Sequence, residues 1–162
     1  MNIGSIIENL NLEKRVSITP DIVKKYVGLN FNVHIEKNYG NHLGIANEEY
    51  RSVGANILPS KEEIINKSDI VVQVSFPENS SLNFFKKNSC LIGTFDPDSV
   101  GENVNKMIKI GVNIFSLNLL PRITRAQSMD VLSSQANLAG YKAVVESFSM
   151  FEKAIPMMMT AA

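Results

Sequence analysis

At 162 residues the chain is long enough for one domain with a real hydrophobic core. Sixteen Lys and Arg balance sixteen Asp and Glu, so the formal charge is zero, and no electrostatic case exists for a nucleic-acid or anionic-membrane partner. Cys90, the single cysteine, excludes an intrachain disulfide; in the apolar run CLIG it reads as a small buried hydrophobe, which fits a reducing, intracellular compartment.

The N-terminal MNIGSIIENL lacks the basic region and apolar core of a signal peptide. No run of about 18 apolar residues exists to span a bilayer. A soluble chain without direct membrane insertion is expected. The first predicted strand is NIGSII (2 to 7). LEKRVSITP (12 to 20) then carries Lys14 and Arg15 in a charged loop, where Arg15 is a candidate anion contact. A helix comes next: Thr19 at the cap, Pro20 at the first helical position, an apolar stripe of Ile22, Val23, Tyr26 and Val27, and Gly28 at the end. FNVHIE (31 to 36) alternates apolar and polar, which predicts a strand with one face in water near the sheet edge. His34 and His42 have no third nitrogen or sulfur at ligand spacing, so solvent-exposed histidines are expected and not a zinc site.

Further along, helices are predicted at about 47 to 53, 60 to 67, 80 to 87 and 98 to 110, and strands at 55 to 58, 69 to 76, 89 to 95 and 112 to 117. In the FDPDSV turn (95 to 100), Asp98 or Ser99 is expected to cap the next helix; Asp96 and Asp98 are not read as a metal site. Regular alternation of strand and helix implies βαβ crossovers, hence an α/β fold with a mostly parallel sheet of about six strands flanked by helices. The glycines never occur as G-x-G, so neither the dinucleotide fingerprint nor a phosphate loop is present.

The stretch PRITRAQSMDVLSSQANLAGYK (121 to 142) is the densest in polar chemistry. A long helix is predicted from about Gln127 to about Phe151. Asp130, Ser133, Ser134, Asn137 and Tyr141 share one side of it at spacings of three and four, while Gln135, Lys142 and Glu146 group roughly opposite. If the Lys142 side faces water, the Asp130 stripe is expected to face inward, onto a cleft or another domain. Two readings stay open. Asp130 pairs with Arg122 or Arg125 as a structural crosslink, or these groups line a ligand cleft whose donors and acceptors suit a planar carboxamide. The terminal AIPMMMTAA sets Met157, Met158 and Met159 away from any charge, which predicts cover by another domain or a second subunit.

The opening MNIGSIIENLNLEKRVSITP resembles the start of the alanine dehydrogenase and nicotinamide nucleotide transhydrogenase superfamily. PRITRAQSMDVLSSQANLAGYKAVVE is similar to the transhydrogenase signature, and the similarity runs through IVVQVSFP to the final TAA. The resemblance implies that Arg122, Gln127 and Asp130, with Ser133 one turn on, contact the nicotinamide end of NAD(H). It also implies a division of the chain. Residues 1–126 form the α/β N-terminal domain of the NAD(H)-binding component, and residues 127–162 form a connecting helix leading to a glycine-rich Rossmann domain that is not in this chain. Implied partners are a second copy, giving a homodimer, and the NADP(H)-binding and membrane components of a proton-translocating transhydrogenase. The implied location is peripheral to that membrane complex, on its cytoplasmic or mitochondrial-matrix side. Hydride transfer between NAD(H) and NADP(H) would need no catalytic acid or base. Two departures argue against alanine deamination: Gln73 stands where alanine dehydrogenases commonly carry a substrate-binding Lys, and Phe95 and Asp96 stand where they have a His. An alanine dehydrogenase-like domain and a noncatalytic dimerisation scaffold are the alternatives.

Overall fold

β-branched and apolar runs become six strands: β1 (Asn2–Ser5), β2 (Asn32–Glu36), β3 (Ala55–Leu58), β4 (Ile70–Val72), β5 (Cys90–Gly93) and β6 (Asn113–Ser116). The computed structural model describes residues 1–96, 98 and 100–153. Ser99, Met157, Met158 and Met159 lie outside the described residues. The strands form one sheet in the order β3-β2-β1-β4-β5-β6, with every pair parallel. Each parallel step needs a crossover. α1 (Pro20–Gly28), α2 (Asn47–Ser52), α3 (Lys61–Lys67) and α4 (Gly101–Ile110) provide four of them. The 80 to 87 expectation is corrected: Asn79–Phe84 is a 3₁₀ helix, with Pro77 just before it and two serines in NSSLNF, all weak α-helix formers.

Alternation along the strands sorts two cores onto the two sheet faces. Ile3, Val33, Ile35 and Ala55 pack with Val23 of α1 and Tyr50 of α2. Val71 and Leu91 pack with Ile64 and Ile65 of α3 and Met107 of α4. Gly4 has no Cβ because α3 sits directly over it: an added methyl would meet Ser68 Oγ and Ile64 Cγ2. The chain crosses from one face to the other between β3 and β4, so the order reverses between β1 and β4. That is the arrangement of doubly wound folds, whose ligands sit at this reversal.

β2 lies near the sheet edge, as its alternation predicts: it pairs with β1 and with the edge strand β3, and its polar alternation reflects partial cover of one face. Other local expectations are corrected. His34 in β2 is half-buried, with Nδ1 buried and without a hydrogen-bond partner, while His42 is exposed and its Nε2 lies 2.7 Å from the Lys14 carbonyl. Cys90 is half-buried. Thr19 occupies the cap position of α1 without a side-chain hydrogen bond, and α1 runs through Gly28 to a cap at Leu29. Val100 takes the cap position of α4, and the Asp98 amide donates to Asp96 Oδ1 at 3.1 Å.

The chain divides into two compact units, Met1–Leu120 and Pro121–Ala162. In the second, a 3₁₀ helix (Thr124–Met129) precedes α5 (Val131–Met150). The long helix therefore starts at Val131 and not at Gln127, because the Asp130 backbone leaves helical geometry and its side chain caps α5.

Candidate functional site

Two places in the molecule gather polar chemistry, one in each unit. In the first unit, the carboxyl ends of β1 and β4 converge on a cavity of about 100 Å³ lined by Ile6, Glu8, Lys61, Gln73, Ser75 and Glu78, among others. Its buried polar groups are already engaged. Gln73, only 3 % exposed, accepts through Oε1 from the Ile6 amide at 3.0 Å and from Ser5 Oγ at 2.9 Å. Ser5 Oγ also lies 2.7 Å from Tyr39 Oη and 2.7 Å from the Val72 carbonyl. Tyr39 Oη accepts from the amides of Ser17 at 2.8 Å and Ile18 at 3.3 Å, so its own proton is directed to Ser5. Glu8, 8 % exposed, accepts through Oε1 from the Val74 amide at 2.6 Å and the Ser75 amide at 3.3 Å. Burial pushes the Glu8 carboxyl above its ordinary value, and those two amides pull the other way. Arg15 is held by Glu13, with Nη2 to Oε2 at 2.7 Å, and this pairing keeps the Glu13 carboxyl below its usual range.

Nothing in the spacing of Glu8 and Tyr39 marks them in the sequence. The available signal was a lone acidic residue directly after an apolar strand, which is a frequent and unspecific pattern.

In the second unit, Pro121, Arg122, Ile123, Ala126, Gln127 and Asp130 line one cavity of about 120 Å³. Three of the four residues singled out from sequence thus share it; Ser133 does not line it. The 3₁₀ helix makes this possible. Its tighter winding over Thr124–Met129, with Ala126 buried at 5 % exposure as its anchor, puts Gln127 beside Arg122 and Asp130. Ser133 instead supports Asp130: its amide donates to Oδ1 at 3.0 Å and its hydroxyl to Oδ2 at 2.6 Å. These two bonds, then the nearby Arg122 charge, hold the Asp130 carboxyl below its ordinary value. The ion pair of Asp130 with Arg122 or Arg125 that the crosslink reading requires does not form among the described residues; the capping contact takes its place. Ser133, Ser134, Asn137 and Tyr141 are exposed, and so are Lys142 and Glu146, which pair with each other.

A carboxylate offers about four acceptor positions, and Ser133 uses two, so Asp130 keeps capacity for a ligand N–H. Arg122 brings a forked donor, and Gln127 one acceptor and two donors. That donor set fits a carboxamide. The volume suits one end of a larger molecule.

The chain is similar to known proteins along its whole length. The family model described as alanine dehydrogenase/PNT, N-terminal domain, matches residues 5–139. An NAD(P) transhydrogenase subunit alpha polypeptide of Rickettsia prowazekii is 37% identical over all of this chain and 43% of its own length. Among solved structures, transhydrogenase from Sinorhizobium meliloti superposes with a TM-score of 0.89 at 36% identity, over 99% of this chain and 48% of that one. An L-alanine dehydrogenase superposes with a TM-score of 0.68 at 26% identity, over 72% of this chain and 32% of that one. The chain spans less than half the length of these relatives.

Proposed function

The chain belongs to the alanine dehydrogenase/PNT N-terminal domain family, and on that premise we propose that it forms part of the NAD(H)-binding component of a proton-translocating NAD(P) transhydrogenase. The supporting observation is the convergence of Arg122, Gln127 and Asp130 on one cavity. The dinucleotide would supply the hydride chemistry. The chain's contribution is orientation: Arg122, Gln127 and Asp130 would hold the nicotinamide carboxamide, and Ser133 holds Asp130 in place. No general acid or base is required, and the value of such a site lies in placement. The component works as a homodimer beside NADP(H)-binding and membrane partners. The 162-residue chain alone is expected to transfer no hydride, since its sequence has no G-x-G turn to clamp the pyrophosphate.

The test is a chimera in which this chain replaces the corresponding segment of the NAD(P) transhydrogenase subunit alpha polypeptide of Rhodospirillum rubrum, itself 37% identical over 93% of this chain. In an active chimera, Arg122→Ala is expected to weaken NADH binding by about 1–3 kcal/mol and to lower hydride transfer further, with Arg122→Lys recovering little of either. An active chimera in which Arg122→Ala and Gln127→Ala both bind NADH and transfer hydride normally would remove the site.

A further inference from the structure

Strand alternation puts Val33 and Ile35 of β2 on the face packed by α1 and α2, so His34 between them projects to the opposite face, where α3 lies. That contact is tight. Ile64 and Ile65 are buried, and Ser68 and Ile64 sit directly over Gly4, the residue of β1 beside His34. Among the described residues His34 Nδ1 is buried without a hydrogen-bond partner. The neutral ring can keep its one proton on Nε2 and leave only a lone pair at Nδ1, whereas the protonated ring must carry a second N–H there with no acceptor. The charged groups around it offer no remedy. On α3, Glu63 is paired with Lys67 at 2.6 Å. Just before β4, Asp69 accepts from the Asn2 amide at 2.8 Å and faces Lys86 at 3.6 Å. On β2 itself Glu36 is held by the Ile7 amide at 2.6 Å, and the flanking strands set the uncharged Gly4 and Asn56 on either side. Burial and the Lys67 charge hold the imidazole below its ordinary value, against the pull of Glu63 and Asp69.

We propose that His34 is an acid-sensitive latch on α3: the neutral ring lets the last turn of the helix, residues 64–68, lie on β1 and β2, and the protonated ring lifts that turn from the sheet while the rest of the unit stays folded. α3 has seven residues, too few to hold helical form away from the sheet, so its departure is the least costly way to bring the ring to water. Linkage gives the direction. The folded value is depressed below the ordinary 6.5, so the contact has its full strength above 6.5, weakens as pH falls from there to the folded value, and is level below it. Each pH unit of that window multiplies the open fraction by about ten. The latch belongs to the first unit and stands or falls separately from the Arg122 cavity.

NMR of the full chain tests it: the imidazole resonances give the His34 midpoint, and hydrogen exchange, corrected for its intrinsic pH dependence, gives the protection of the Ser68 amide, which donates to the Ile64 carbonyl at 3.0 Å. The expected result is a His34 midpoint below 6.5 and a loss of Ser68 protection, between pH 6.5 and that midpoint, of about tenfold per pH unit of the measured shift. Val23 of α1, whose amide donates to the Thr19 carbonyl at 3.0 Å, should keep its protection. His34→Gln should abolish the loss. The proposal is overturned if His34 titrates at or above 6.5, if Ser68 stays protected across the window, if Val23 loses as much protection as Ser68, or if folded His34→Gln shows the same loss. Should that variant fail to fold, the wild-type comparison of Ser68 with Val23 and with the His34 midpoint decides alone.

Discussion

Tyr39 ties three segments together through a single hydroxyl, so its removal is a clean test of what the buried polar network contributes. Tyr39→Phe keeps the ring and its edge contact with Tyr50, centroids 5.9 Å apart, but leaves the Ser17 and Ile18 amides without their acceptor. A loss of about 1–3 kcal/mol is expected, read as a lower urea midpoint at unchanged m. Glu8 makes a second prediction, in pH. Its carboxyl is raised above the ordinary 4.5 by burial, so between 4.5 and the raised value the folded state binds more protons than the unfolded one. Stability falls as pH rises through that window and is level above it. Glu36 is raised for the same reason and adds to the slope. Glu8→Gln keeps the shape and removes one titration, so its stability should decline less steeply over the window. Urea melts taken from about pH 4 upward measure this, and an unchanged slope would show that Glu8 titrates normally. Asp130 contributes with the opposite sign: its lowered carboxyl stabilises above the ordinary 3.8 and is lost as pH falls.

At the scale of elements, the legible features were those set by periodicity and backbone chemistry. All six strands stand within the predicted runs, and α1 begins at Pro20 as the fixed φ of proline dictates. What local pattern does not encode was missed. The alternation in β2 says that one face is less covered, which fits its place beside the edge strand β3, but it does not say which strands flank it. At 124–129, helical periodicity runs on unbroken, and only the preference of Asp130 for capping over continuing separates a 3₁₀ helix from α5. That boundary decides the candidate site, because an α-helix from Gln127 would have turned Asp130 into one member of a stripe. The close approach of α3 to β1 was equally invisible, since a glycine inside a strand reads only as a weak point. Gly4→Ala must push Ser68 and Ile64 outward, and about 1–3 kcal/mol of destabilisation is expected by denaturant melting. Gly111→Ala should cost about 1–2 kcal/mol for a different reason, its φ of 87° in the left-handed region ending α4.

For the whole molecule, α5 raises the question of what keeps it helical. It is 20 residues long, has no buried residue, and exposes Leu138 at 60%, Phe148 at 55% and Met150 at 80%. An isolated helix of this length is marginal in water, and soluble proteins seldom leave such apolar surface open. Ala136, Ala139, Gly140 and Ala143 lie between the large side chains and let a neighbouring helix approach closely. Within the proposed transhydrogenase component, a second copy is the expected cover, through a self-complementary two-fold contact in which each substitution acts twice. Burying one such side chain is worth roughly 1.5–3 kcal/mol. Leu138→Glu combined with Phe148→Glu should therefore raise the dimer Kd by at least roughly tenfold. Sedimentation velocity over a concentration series measures the shift, and circular dichroism at high dilution shows whether the freed helix also frays. A wild-type chain that stays monomeric at high concentration while α5 keeps its full helicity would mean that the helix needs no partner, and the homodimer would lose its physical basis.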